Sequence, residues 1–289
     1  MMIVNARVNG VPQTDTLKVV GPQVRLIVPQ AKMLPSVTQT TADVHYPSDQ
    51  LQTLQVSVID TLGVTLKNRW VQLRLSAVEG TAGHAHQNTS TYPKPPGTFP
   101  PAGTIVSVNT GNTTGIATVV YRSPDPSGPV WIQALSSGAG TAKKKIDVQV
   151  DGLQQFNPGS TADLTGDRPE HPSNHWATSA HIANLNRLIW YFARQWPTEK
   201  LTFNDSSLPL GGLYDINAHW TIDHVGHRWG NNTDLKTYDN SDPQHPVPTL
   251  TDPQKNFVKM VWMDLAGGPK KIIEHKPGGR VLPHLHLIY

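Results

Sequence analysis

The chain has no cysteine in 289 residues. That excludes disulfides, thiolate metal sites and a cysteine nucleophile, so any metal must be held by histidine and carboxylate. Charge is also scarce, at 16 % against roughly 25 % in an average soluble domain. It is nearly balanced, since 24 basic and 21 acidic residues give a formal +3. Such a balance supplies no nucleic-acid stripe, and the basic run Lys143-Lys144-Lys145 reads as a solvated strand face. No long apolar run occurs, so nothing is expected to span a bilayer. The opening MMIVNARVNGVPQ has neither the basic nor the apolar stretch of a secretory signal. GxSxG, Walker A, GxGxxG and HExxH patterns are absent too, which leaves serine hydrolase, nucleotide-binding and zincin readings without support.

What is present is turn-forming residues and alternation. Twenty-five prolines and 23 glycines make up about a sixth of the chain, a profile of turn-rich β structure. From about residue 50 to 150, short runs alternate with period two: LQTLQVSVID, RWVQLRLSAV, GTIVSVNT, GIATVVYRS, VWIQALS and KKIDVQV, with VRLIVPQ before them. Gly, Pro, Asn and Asp clusters separate these runs, as in an antiparallel sandwich. His84 and His86 form a His-x-His in a Pro- and Gly-rich loop and read there as loop residues, because two histidines lack a third ligand.

Composition changes at 151–173, where FNPGSTADLTGDRPEHPS reads as a linker. The expected organisation is a β-sandwich over 1–150, that linker, and a small α+β domain with an antiparallel sheet over 174–289. Ile182, Leu185, Ile189, Phe192 and Trp196 predict an amphipathic helix over 178–196, with Thr178 or Ser179 as cap and Pro197 as stop. DPQKNFVKMVWMDLA predicts a second helix over 252–266, capped by Asp252. Strands are expected in KLTFND, around DINAHWTIDH, in KKIIEHK and in HLHLIY.

Ten of the 13 histidines lie after residue 170. A catalytic zinc site needs three ligands from imidazole and carboxylate, with a fourth position open. His227, Asp234 and one of His284 and His286 supply that set. In a strand, His284 and His286 share a face, so one can bind metal while the other handles a proton. Six residues separate His227 from Asp234, so the loop must fold back, and Gly230 allows the unusual backbone angles this takes. Arg228 reads either as a substrate-carboxylate partner or as a salt-bridge residue, and Trp229 as a substrate wall or core filler. His181 and His219 read as packed or surface residues, while His275 lies close enough in sequence to His284 to reach the cleft.

Two resemblances follow from these motifs. Asp60-Thr61-Leu62-Gly63, Val71 to Leu75, and Asn112 to Thr118 followed by Val119 to Tyr121 resemble bacterial immunoglobulin-like domains of the invasin and intimin type, which are spacer and adhesion modules. His227, Asp234, His284 and His286 resemble the lysostaphin, D-Ala-D-Ala and sonic hedgehog metallopeptidase group, marked by His, six residues, Asp and a later His-x-His. Within that group the chain is similar to penicillin-insensitive murein endopeptidases, where His224, Gly230 and Leu235 also match. Gly226 and Asn232 depart from the family's usual serine and aspartate. The resemblance implies one Zn²⁺ per chain on His227, Asp234 and His286, with His284 and His224 in proton transfer or oxyanion stabilisation. It implies hydrolysis of peptidoglycan peptide cross-links outside the cytoplasm, periplasmic or at the cell surface. A D,D-carboxypeptidase of the same group and a non-catalytic zinc-containing adhesin are the alternatives.

Overall fold

Period-two alternation builds most of this molecule. The computed structural model describes residues 2–8, 11–17, 21–36, 50–85, 92–215, 218–221, 226–239, 247–265, 271–275 and 283–289. Strands β1 (Met2–Val8) and β2 (Val11–Leu17) form an antiparallel ribbon. There follow β3 (Gln23–Ile27), β4 (Lys32–Met33), β5 (Leu51–Ile59), β6 (Thr65–Leu66), β7 (Trp70–Ala77), β8 (Ile105–Asn109), β9 (Ile116–Arg122), β10 (Gly128–Ser136) and β11 (Gly140–Val148). All seven expected runs are strands. In one sheet β5 pairs with β3, β6 and β9; in the other the order is β4-β11-β10-β7-β8, antiparallel except for the β4–β11 pair.

The two sheets face each other across one core. Leu54, Val56 and Val58 of β5 alternate inward and meet Val71 and Leu73 of β7, Val130 and Ile132 of β10, and Ile146 of β11, all buried in a single cluster. Alternate positions of β5, Leu51, Thr53 and Gln55, stay exposed, as a half-buried strand requires, while Lys143, Lys144 and Lys145 are exposed one after another on β11.

A second core lies in the remaining chain. Its elements are β12 (Leu153–Gln155), β13 (Asp163–Leu164), β14 (Trp176–Thr178), α1 (Ser179–Gln195), β15 (Thr202–Phe203), β16 (Asn232–Lys236), β17 (Tyr238–Asp239), β18 (Val247–Pro248), α2 (Asp252–Asp264), β19 (Lys271–His275) and β20 (His284–Ile288). A five-stranded sheet of order β13-β15-β16-β20-β19 packs Leu235, Leu285 and Leu287 against Leu185, Leu188, Ile189 and Phe192 of α1 and against Val258, Val261 and Trp262 of α2. The described chain is therefore mostly antiparallel and mixed sheet with two helices, neither long and apolar enough to cross a membrane.

The first helix begins where its cap dictates: the Thr178 hydroxyl accepts a hydrogen bond from the His181 N–H. The second is capped one residue earlier than expected. Thr251 is the cap, its backbone N–H donating to Gln254 Oε1 at 2.7 Å, and Asp252 is the first helical residue.

Two further expectations are corrected. The 151–173 segment is no free linker: β12 pairs with β14, β13 pairs with β15, and Phe156 and Ala162 are buried in the second core. Apolar residues too widely spaced for periodicity anchor it. Around DINAHWTIDH, residues 218–220 form bends and 221 is irregular, so no strand is found there, while 216–217 and 222–225 lie outside the described residues.

Backbone bonds join the two cores, from Val150 N–H to Leu210 O and from Leu213 N–H to Asp125 O, each at 2.9 Å.

Trp262 is fully buried, and its Nε1–H donates to Ile288 O at 3.2 Å, tying α2 to β20. Trp262→Ala should cost about 3–5 kcal/mol in denaturant unfolding. Met263→Ala, one position on and 55 % exposed, should change stability by no more than about 0.5 kcal/mol.

Candidate metal centre

Register decides which side chains meet. Asp234 of β16 lies directly opposite His286 of the antiparallel β20, and His284 lies opposite both Lys236 of β16 and His275 of β19. With Leu235, Leu285 and Leu287 turned to the helices, period two turns Asp234, His284 and His286 to the other face. His227 arrives from the turn before β16. Its Nε2 is 3.3 Å from Asp234 Oδ1, and His286 Nδ1 is 2.9 Å from the same oxygen. The His227 and His286 rings stack, with centroids 5.5 Å apart.

Around a tetrahedral zinc, ligand atoms ~2.0–2.2 Å from the ion stand about 3.3–3.5 Å from one another. The 3.3 Å spacing matches that and the 2.9 Å one is shorter, and the three donors lie close enough together to hold a divalent cation. Among the described residues three groups bring ligand atoms within 4.8 Å of one another: His227 with Asp234 and His286, His275 with His284 and His286, and His84 with His171 and Asp215.

Local backbone explains how His227 reaches Asp234. Gly230 has φ +68°, and a Cβ there would collide with Leu153 Cδ2 and press on Ala177 Cα. Its carbonyl accepts from the Thr178 N–H at 2.8 Å, which fixes the loop to the start of α1. The two departures from the family pattern touch each other. A side chain at Gly226 would run into the Asn232 amide, and Asn232 Nδ2 lies 3.3 Å from His286 Nδ1.

A buried polar layer backs the centre. Asp205 Oδ1 accepts from the Tyr214 hydroxyl at 2.8 Å and from Asn174 Nδ2 at 2.6 Å, while Oδ2 accepts from Asn204 Nδ2 at 2.7 Å. Burial pushes the Asp205 carboxyl above its ordinary value, with the His227 charge opposing. Burial alone would lower His227, but the Asp234 charge and hydrogen bond, with Asp205 behind, outweigh it and hold the imidazole above its ordinary value. For Asp234 burial acts upward and is overcome by His227 and His286, which hold the carboxyl well below the usual carboxylate range. Sequence reasoning did not find Asp205, Tyr214 or Asn174, since no short-range pattern links them.

The remaining expected residues divide. His284 joins the cluster: its Nε2 is 2.8 Å from His286 Nε2 and 3.4 Å from Asp234 Oδ2. His275 reaches it too, stacked on His284 at 4.6 Å. Trp229, two residues after His227, is half-buried. Arg228 is corrected from substrate binding. It is 1 % exposed, with Nη1 3.6 Å from Asp125 Oδ1, so it belongs to the seam between the cores, where no substrate carboxylate reaches it. His219 stacks on Tyr92, and His181 is buried against Thr233. His224 and His86 lie outside the described residues. His84 lies in a loop, as read from the sequence, and is buried there.

No family model matches the chain, and no curated protein matches it significantly. Among solved structures, a glycosyl hydrolase family 2 member from Bacteroides cellulosilyticus is similar at 18 % identity and TM-score 0.28, over 50 % of this chain and 17 % of that one. The Lin-41 filamin domain is similar at 14 % identity and TM-score 0.26, over 45 % and 97 %. The human F-spondin reeler domain is similar at 14 % identity and TM-score 0.24, over 45 % and 89 %. This chain spans about a sixth of the length of the first.

His181 yields a pH prediction. Burial, with the His227 charge adding to it, lowers its pKa from 6.5 to about 3. The unfolded chain therefore takes up this proton as pH falls through 6.5 while the folded chain refuses it. Stability should drop on acidification by about 1 kcal/mol per pH unit from this group. In His181→Gln, which can still bond Thr233, denaturant midpoints measured from pH 7 to 4.5 under excess chelator should fall correspondingly less steeply. Equal slopes would contradict the assignment.

Proposed function

We propose that the chain is a zinc-dependent peptidase acting on the peptide cross-links of peptidoglycan, similar to the murein endopeptidases of the lysostaphin, D-Ala-D-Ala and sonic hedgehog group. In this reading the first core is an immunoglobulin-like sandwich that positions the second, catalytic unit at the wall, outside the cytoplasm. The observation that carries it is the antiparallel register that sets Asp234 opposite His286 with His227 Nε2 3.3 Å from the same carboxylate. Three ligands of this kind match a catalytic zinc site with one open position.

His227, Asp234 and His286 would hold the ion. Zn²⁺ bound there would supply a water nucleophile at neutral pH and polarise the scissile carbonyl. Access is one-sided, since the His227 side chain is 0 % and Asp234 3 % exposed, against 11 % for His284 and 15 % for His286. Substrate would therefore approach the sheet face that carries His284 and His286. His284, on that face, would accept the proton of the attacking water and return it to the leaving amine. Its Nε2 lies 3.4 Å from Asp234 Oδ2. His275, stacked behind, would limit how far the ring swings. Asp205 and Tyr214 would position His227.

On purified cross-linked muropeptides the zinc-loaded chain should release two stem-bearing products by mass. His227→Ala should abolish turnover together with zinc at this centre. His284→Ala should keep the zinc and lose about 10²–10⁴-fold in kcat. Full activity in His227→Ala would overturn the reading, and release of free alanine alone would reassign the chain to carboxypeptidase activity.

A further inference from the structure

The third cluster lies apart from this centre and shares no residue with it. His84 Nδ1, His171 Nε2 and Asp215 Oδ1 form a nearly equilateral triangle, with edges of 3.1, 3.2 and 3.3 Å. All three side chains are buried, those of His84, His171 and Asp215 at 0 % exposure. Tyr214 stands between the two clusters, its ring 5.0 Å from His171 and 6.3 Å from His227.

Protons alone satisfy such a triangle poorly. If both ring nitrogens donate to Oδ1, their N–H groups face each other across 3.1 Å. If only one donates, the other turns a lone pair toward a carboxylate oxygen. A cation at the centre accepts all three lone pairs at once, and the edges match the ~3.3 Å face of a tetrahedral zinc site.

The surroundings hold the three ligands in place. Asp215 Oδ2 accepts from the Trp220 N–H at 2.7 Å, leaving Oδ1 turned to the histidines. The loops carrying His84 and His171 are joined by the Ala85 N–H to Glu170 O bond at 2.8 Å. Gly83, at φ +90°, lets the first of these loops pass where a Cβ would strike Pro209. Lys94, whose Nζ donates to Thr81 Oγ1 at 3.1 Å and Val78 O at 3.3 Å, is the cationic neighbour with which a bound ion would share Asp215.

We infer that His84, His171 and Asp215 form a second metal site, for Zn²⁺ or a similar borderline divalent cation, that staples the 78–85 loop of the first core to the segments that bear His171 and Asp215. Two nitrogens and one carboxylate oxygen favour such ions over Mg²⁺ or Ca²⁺. Its complete burial makes it a structural clamp, not a catalytic centre. The inference stands independently of the peptidase reading.

The test counts zinc on the full chain by native mass spectrometry, after chelator treatment and reloading with ZnCl₂. The unaltered chain should hold two ions, and His227→Gln one. Asp215→Asn, which preserves shape and the Trp220 bond, should also hold one, with its second zinc affinity at least about 100-fold weaker. His171→Gln provides a second variant should Asp215→Asn fail to fold. One ion in the unaltered chain, lost in Asp215→Asn and kept in His227→Gln, would support this site and overturn the peptidase centre. One ion kept in both Asp215→Asn and His171→Gln, or none at all, would overturn the second site.

Discussion

The pairing of β16 with β20 is the constraint on which the second half of the molecule depends. Because side chains alternate, a slip of one residue would turn Leu285 and Leu287 out of the helix-packed core and drive His284 and His286 into it. The core and the candidate metal centre are thus two faces of one register. Apolar burial under α1 and α2 selects the pairing, and that pairing sets Asp234 opposite His286. Trp262, bonded to the Ile288 carbonyl, presses the same strand from behind.

Burying Asp234 is costly unless its charge is matched. Here the compensation is local: His227 at 3.3 Å and His286 at 2.9 Å face one carboxylate oxygen, and a second buried carboxylate, Asp205, faces His227 from the rear. Asp205 is in turn held by Tyr214, Asn174 and Asn204. Side chains fixed this way suit a cation that replaces protons on ligands already in position, and they leave little freedom for the loop that carries His227.

Much of this was legible in the sequence for definite reasons. Strands with one buried face write alternation into the chain, so Leu54, Val56 and Val58 disclose β5. Helices with one buried stripe disclose α1 through Leu185, Ile189 and Phe192. His227, Asp234 and His286 were legible because the loop and strand that carry them impose fixed spacings, and Gly230 marked the turn. What was hidden depends on long-range contact. His84 meets His171 across 87 residues and Asp215 meets His171 across 44, from loops without periodicity. Arg228 finds Asp125 across the seam between the cores. Phe156 and Ala162, isolated among Pro and Gly, gave 151–173 the composition of a linker although they sit in a core.

Crystals of the zinc-loaded chain, measured on both sides of the zinc absorption edge, would test the central claim most directly. The account predicts an anomalous peak about 2.0–2.2 Å from His227 Nε2, Asp234 Oδ1 and His286 Nδ1, with the His284 side chain beside it and outside bonding distance of the ion. A map without density there, with the three side chains still bonded to one another, would contradict it.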